Sequence, residues 1–227
     1  MKTFVPLKNK FLRPIWLLAL VCALALLGGC TKNVEYFDYV SELRSNIFLA
    51  EADGFSLRVY AVSKETPYLA DGIPKECSTR LEAYMVAPEG DKTCNISLSL
   101  GENTYGGEMS YDNVKAEYYF SCTLDVSAER ELPFEIEYGE QKLTLCARSV
   151  LTEDTLAPKS VLKNLEREES ELFTSLTDKY GFAGEIYLRL LYEDAPYYYI
   201  GLIERNGSVH AFLVNAKTGK VLAKRTS

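Results

Sequence analysis

The chain of 227 residues has a single histidine, His210, and a single tryptophan, Trp16. One histidine excludes multi-histidine zinc chemistry by counting, and any nucleophile–His–acid centre would have to use His210. That residue lies with Val209 and Phe212 in a strand-like stretch, which reads as a sheet position rather than a catalytic base. No Cys-x-x-Cys is present, so neither a dithiol redox motif nor a zinc knuckle is indicated. There is no GxxxxGK[ST] phosphate loop, and Asp and Asn lack the spacing of a calcium-binding loop. Positive charge is scarce too, with 25 basic against 32 acidic residues and a net charge of −7. Such a chain has no electrostatic footprint for nucleic acid or anionic lipid surfaces. The densest acidic cluster, Glu166, Glu168, Glu169 and Glu171, is interspersed with Lys163 and Arg167 and reads as a solvated helix face. The expectation is a protein without metal, cofactor or catalytic centre.

Long apolar runs are also missing. The longest, residues 15–27, is about 13 residues. As a helix it is ~20 Å long, against a hydrocarbon core of ~30 Å, too short for an ordinary span. Lys2, Lys8, Lys10 and Arg13 precede it without an acid, and small residues close it, the pattern of a secretory signal. Its end, Leu27-Gly28-Gly29-Cys30, resembles the lipobox of bacterial lipoproteins. The resemblance implies a signal peptide over residues 1–29, cleaved before Cys30 after the Cys30 thiol receives a diacylglyceryl group with palmitate-like chains. Residues 30–45 would then be a lipidated N-terminus and tether. The location implied is the cell membrane, lipid-anchored, on its extracytoplasmic face. Two acyl chains anchor stably, at ~0.8 kcal/mol per buried CH₂. Loss of the leader removes Trp16, Cys22 and four positive charges, moving the charge balance from −7 to about −11.

Cys77, Cys94, Cys122 and Cys146 remain, an even number in an exported chain. Disulfides are permitted there, and four cysteines allow three connectivities. Cys122 shares a face with Phe120 and Leu124 and is expected inside, whereas Cys146 alternates against Leu143 and Leu145. That weakens a Cys122–Cys146 bridge, unless a bulge reverses the facing.

Residues 46–150 alternate with a period of two. Cys94, Ile96, Leu98 and Leu100 form one such face, and Leu132, Phe134, Ile136 and Tyr138 another. Turn signals recur about every 8 to 12 residues, with Asp53-Gly54 and Gly139-Glu140 among them. This predicts a mainly β protein that opens with an antiparallel β-sandwich of immunoglobulin-like architecture. Residues 151–159 break the alternation and contain Pro158, marking a linker. Leu162, Leu165, Leu172, Phe173 and Leu176 then recur at helical spacing, predicting one amphipathic helix over residues 160–179 with Ser160 as N-cap. Four strand-like segments follow, with a two-residue turn expected at Asn206-Gly207. Residues 160–227 thus read as a small α+β domain, one helix on an antiparallel meander.

The tail "YYYIGLIERNGSVHAFLVNAKTGKVL" resembles the closing hairpin of PepSY-like domains through Asn215, Ala216, Thr218, Gly219 and Val221, with Asn215 where that family has Asp. The resemblance implies a small envelope module that restrains peptidases or senses at the cell surface.

Sixteen tyrosines are many for this length. Tyr197, Tyr198 and Tyr199 form a run, with Tyr187 and Tyr192 on the preceding strand. In a half-covered sheet such residues either shield the strands or present a binding surface for an envelope protein, peptide or glycan. The sequence therefore points to a non-enzymatic, membrane-anchored lipoprotein with a binding or regulatory role at the cell envelope. The alternative is a PepSY-like peptidase inhibitor or folding modulator.

Overall fold

The computed structural model describes residues 34–65, 76–90 and 92–227. The expected signal peptide, the lipobox-like residues 27–30 and Cys30 lie outside the described residues. The expected mainly β class is what the structure has. A 3₁₀ turn, Tyr36–Tyr39, leads into the long strand β1 (Val40–Ala52), which therefore begins inside the stretch expected to be tether. Asp53 and Gly54, both at positive φ (51° and 82°), close a two-residue turn into β2 (Phe55–Glu65). That turn matches the right-handed strand twist, and Asp and Gly tolerate its backbone.

The next strands are β3 (Cys77–Val86), β4 (Cys94–Leu100), β5 (Asn103–Glu108), β6 (Ser110–Asp112), β7 (Glu117–Cys122), β8 (Glu131–Tyr138) and β9 (Gln141–Ser149). One layer runs β1-β2-β3-β7-β6 and the other β5-β4-β8-β9, joined where β9 pairs with β1. Their inward positions interdigitate in one core containing Phe48, Leu57, Met85, Ile96, Phe134 and Leu145. Each such side chain contributes ~1.5–3 kcal/mol by leaving water. The alternation of β8, exposed and buried by turns, is the one its sequence carries.

Two helices follow, not one. α1 spans Pro158–Glu168 and α2 spans Ser170–Ser175, with a break at Glu169 (φ −112°, ψ 35°). Ser160 is not the N-cap. Ala157 holds that position and Pro158 occupies the first turn. Proline's fixed φ suits a helix start, where its missing N–H has no partner to lose, so Pro158 begins the helix instead of ending the linker. The last part of the expected helix forms a small hairpin, β10 (Thr177–Asp178) with β11 (Gly181–Phe182).

A meander closes the chain: β12 (Gly184–Tyr192), β13 (Pro196–Glu204), β14 (Val209–Asn215) and β15 (Val221–Thr226). Val161, Leu162, Leu165 and Phe173 of the helices are buried with Ile186, Leu188, Ile200 and Val214 of the sheet in a second core. The Asn206-Gly207 turn is wider than two residues. Only Gly207 has positive φ (+87°), and Asn206 Oδ1 accepts from Ser208 N (2.7 Å). The Asn215–Val221 turn is built by its side chains. Asn215 Oδ1 accepts from Lys217 N (3.0 Å) and Thr218 N (2.9 Å), Ala216 is buried, and Gly219 (φ +71°) lies against Asn164 of α1.

The two cores share one sheet. β12 pairs parallel with Val40–Arg44 of β1, while β9 pairs antiparallel with Phe48 and Leu49 further along. Every other ladder of this sheet is antiparallel. Thus β1 carries β2 on one edge and two successive partners on the other. Between the two partners the β1–β2 register slips, between Arg44 and Asn46. Asn46, 0% exposed, sits at that junction. Its Nδ2 donates to Ser127 O (3.3 Å) and Glu129 O (3.2 Å), and its Oδ1 accepts from Ile47 N (2.8 Å) and Ser149 Oγ (2.7 Å). All four hydrogen-bonding positions of the amide are filled.

Replacing Asn46 by Ala leaves several buried groups without partners. Asn46→Ala is expected to destabilise the protein by about 2–4 kcal/mol in urea melts, well above the effect of an ordinary surface change. An unchanged midpoint would remove Asn46 from this role.

Candidate binding surface

Strand alternation divides the expected tyrosines. On β12, Ile186, Leu188 and Leu190 point to the helices, so Tyr187, Arg189 and Leu191 point the other way. On β13 the opposite pairing puts Tyr197 and Tyr199 beside Leu191 and Arg189. Tyr198 does not share that face. It is 1% exposed among the helix-side residues, and its hydroxyl donates to Leu156 O (3.0 Å). Tyr192, 41% exposed, stands at the end of β12. Tyr187, Tyr197 and Tyr199 therefore gather on the side away from the helices, Tyr192 shares the parity of Leu190 and lines the groove from the strand end, and a two-residue period permits only two of the three consecutive tyrosines on one side.

The same face continues across β1 into the first layer. Glu42 and Arg44 pair with Tyr187 and Arg189, and Arg44 stacks its guanidinium 3.9 Å from the centre of the Tyr60 ring. Tyr60, Tyr84 and Tyr119 then step across β2, β3 and β7 with ring centres 5.6 and 5.0 Å apart. This ladder was not among the sequence candidates. Its members are far apart in the chain, and only strand pairing aligns them. Burial and the neighbouring Glu82 carboxylate push the Tyr84 phenol well above its ordinary pKa.

A groove of about 650 Å³ opens on this face where β12 parts from β1 beyond Arg189. Arg44, Ile47, Leu49, Arg58 and Tyr60 line one wall, and Leu191, Tyr192, Glu193, Tyr197, Leu213 and Leu222 the other. Its charges are unevenly matched. Arg189 grips Glu42 through Nε (2.7 Å) and Nη2 (2.6 Å), and that hydrogen bonding raises the Arg189 pKa. Arg58 reaches Glu117 only at 3.7 Å. Arg44 Nε is buried without a hydrogen-bond partner.

Other candidates lie elsewhere. The ring nitrogens of His210 are engaged by Glu204 Oε1 (2.7 Å) and Thr226 Oγ1 (3.3 Å), an arrangement that ties β14 to its neighbours. Cys94, Cys122 and Cys146 carry free thiols, with Cys94 buried and Cys146 exposed. Cys122 packs on the sandwich core while Cys146 points outward towards Glu131, the facing expected from alternation. Burial pushes the Cys94 thiol up to about 11, far from a reactive thiolate. Among the described residues there is no group of His, Cys, Asp or Glu able to hold a metal ion, and no helix is long and apolar enough to cross a membrane.

No known family model, curated protein or solved structure matches this chain.

Tyr198 gives a test of the facing. Burial pushes its phenol up to about 12, above the ordinary value near 10. The folded state therefore keeps the proton after the unfolded chain has lost it. The contribution is complete below about pH 10 and declines as pH rises towards about 12. Tyr198→Phe is expected to cost about 1 kcal/mol at neutral pH and to flatten part of this alkaline loss in urea melts. The same slope in both proteins would place that proton elsewhere.

Proposed function

We propose that this chain is a non-enzymatic lipoprotein, anchored at the extracytoplasmic face of the cell membrane through acylated Cys30, which binds an envelope polypeptide on its outer sheet face. The lipobox Leu27-Gly28-Gly29-Cys30 supports the anchor. The fold starts close behind it. Tyr36 packs on Phe173 and Phe182, and Glu35 pairs with Lys159 (3.2 Å). Four residues separate Cys30 from Glu35, and at ~3.5 Å per residue such a stretch spans no more than ~20 Å, so an anchor at Cys30 would keep the body near the bilayer.

The observation that carries the binding reading is the grooved outer face, with Tyr60, Tyr192 and Tyr197 beside aliphatic walls and two incompletely paired arginines. Tyrosine gives large contact area at low entropic cost and keeps a polar tip for hydrogen bonding, and arginine is likewise enriched where proteins meet. The groove is open along one side, which suits a passing chain rather than a small molecule buried whole.

A second reading, a PepSY-like restraint on a peptidase, rests on the helix-covered meander and the Asn215–Val221 turn that closes it. Recovery of one peptidase, inhibited by the purified protein, would favour it.

Mass spectrometry of the membrane fraction is expected to find a mature chain beginning at Cys30 with a diacylglyceryl mass. Absence of any acyl mass there removes the anchor. A photo-crosslinking phenylalanine analogue in place of the exposed Leu222, at the groove rim, is expected to label an envelope protein in intact cells. Tyr197→Ser/Tyr199→Ser should abolish that cross-link with little change in melting temperature. A cross-link indifferent to both substitutions would sink the binding face.

A further inference from the structure

Resting on the binding reading above, we propose that the groove recognises an apolar peptide segment by its carboxylate, gripped by Arg44. The argument starts from a charge imbalance. Arg44 and Arg189 are register partners on adjacent strands, so two cations share one patch of sheet. Like charges directly opposite are unfavourable unless something offsets them. Glu42 offsets Arg189 through a two-bond fork. Among the described residues no carboxylate reaches Arg44 in this way. Its guanidinium lies on Tyr60, and its Nε is withdrawn from solvent with no acceptor. A buried donor without a partner is costly, and a methionine could fill the same space without that cost.

The surroundings add to the imbalance. Arg58, in the same groove, has a long contact to Glu117, and Glu193 is the one acid among the described lining residues. A locally positive groove therefore stands in a chain of net charge −7. Its complement is an anion.

The geometry of the guanidinium selects the anion. With Nε closed off from solvent, a ligand meets the end of the guanidinium, whose two Nη groups present parallel N–H bonds that match the two oxygens of a carboxylate. Arg189 forks a carboxylate one strand away in the related side-on geometry, through Nε and Nη2 to Glu42. A doubly charged phosphate calls for several converging donors, and one guanidinium end does not supply them. Ile47, Leu49, Leu191 and Leu213 provide apolar wall next to the guanidinium, so the carboxylate arrives with aliphatic or aromatic side chains. A C-terminal carboxylate after bulky apolar residues, or an acidic side chain among them, fits both requirements.

The test is isothermal titration of the full-length protein with the acetylated tetrapeptide Leu-Tyr-Leu-Phe bearing a free carboxylate, and with its C-terminal amide. The acid is expected to bind at least about tenfold more tightly, the scale of one charge-assisted hydrogen-bond pair. Arg44→Gln should remove the preference with little change in melting temperature, the loss of the buried unpaired Nε offsetting that of the stack on Tyr60. Arg44→Lys should restore only part, because it keeps the charge and lacks the fork. Leu191→Glu, which supplies the groove with its own carboxylate, should also abolish the preference and serves if Arg44→Gln does not fold. Equal binding of acid and amide, or an undiminished preference in Arg44→Gln, overturns the proposal. Displacement of the acid by palmitate or inorganic phosphate at lower concentration than the peptide itself also overturns it, assigning the groove to lipid or phosphate. If neither peptide binds while position 222 still cross-links to an envelope protein, the carboxylate is wrong and the binding role stands. If the cross-link is absent as well, both fall.

Discussion

The edge of β1 is the constraint on which the rest of this fold depends. A strand has two edges, and β1 serves three partners by dividing one edge between β12 and β9. Such a division leaves backbone groups at the changeover that neither partner can reach. Asn46 fills the gap with its own amide, binding the carbonyls of Ser127 and Glu129 and the hydroxyl of Ser149. The backbone on its far side is held by Val150 N donating to Ile47 O (2.9 Å). A buried amide with all its positions occupied fixes one register, because a slip of one residue would strand each of those partners.

The groove follows from the same division. If β12 continued along β1, Leu191 and Tyr192 would be covered by a neighbouring strand. Because β9 takes over the edge from Phe48, β12 runs free beyond Arg189, and the diverging strands leave an apolar cleft between them. The arginines sit at the apex of the split, where the last β1–β12 pair brings Arg44 and Arg189 together. Fold and site are thus one feature: the join that links two cores also makes the space a ligand can enter.

What was legible in the sequence was local. The period of two in residues 94–100 and 132–138 located strands and their inward faces, and Asp53-Gly54 located the first hairpin. The outward facing of Cys146 followed from counting along β9. The same counting, applied to Tyr197–Tyr198–Tyr199, would have set Tyr198 inside. The run of identical residues hid the alternation, but Pro196, Tyr198 and Ile200 fall on one parity. Pro158 was misread because proline both ends and begins helices, and only the path before it tells which. Long-range pairing left no local trace. Val40 meets Ile186 across most of the chain, and Tyr60, Tyr84 and Tyr119 align only once β2, β3 and β7 are neighbours. Arg44 gave no signal either, since an arginine in a strand is unremarked until its partner is found missing.

The remaining surface argues for recognition by face rather than by edge. A sheet can also bind a chain by adding it as a further strand, which needs a long flat edge with free backbone groups. β15, at one end of the sheet, carries exposed Lys224 and Arg225. β6, at the other end, is three residues long. β5 contains Gly106 and Gly107, and a side chain at Gly106 would collide with the Ile96 carbonyl. Charge, brevity and glycine each make an edge a poor template. The outer face has the opposite character: aromatic rings in ladders, aliphatic walls, and cations half withdrawn from water. An acidic body repels anionic surfaces at long range, and within a Debye length the groove's own arginines take over. In the proposed binding role, discrimination would rest on contact, with a partner bringing both the apolar side chains that fill the cleft and the oxygens that Arg44 lacks.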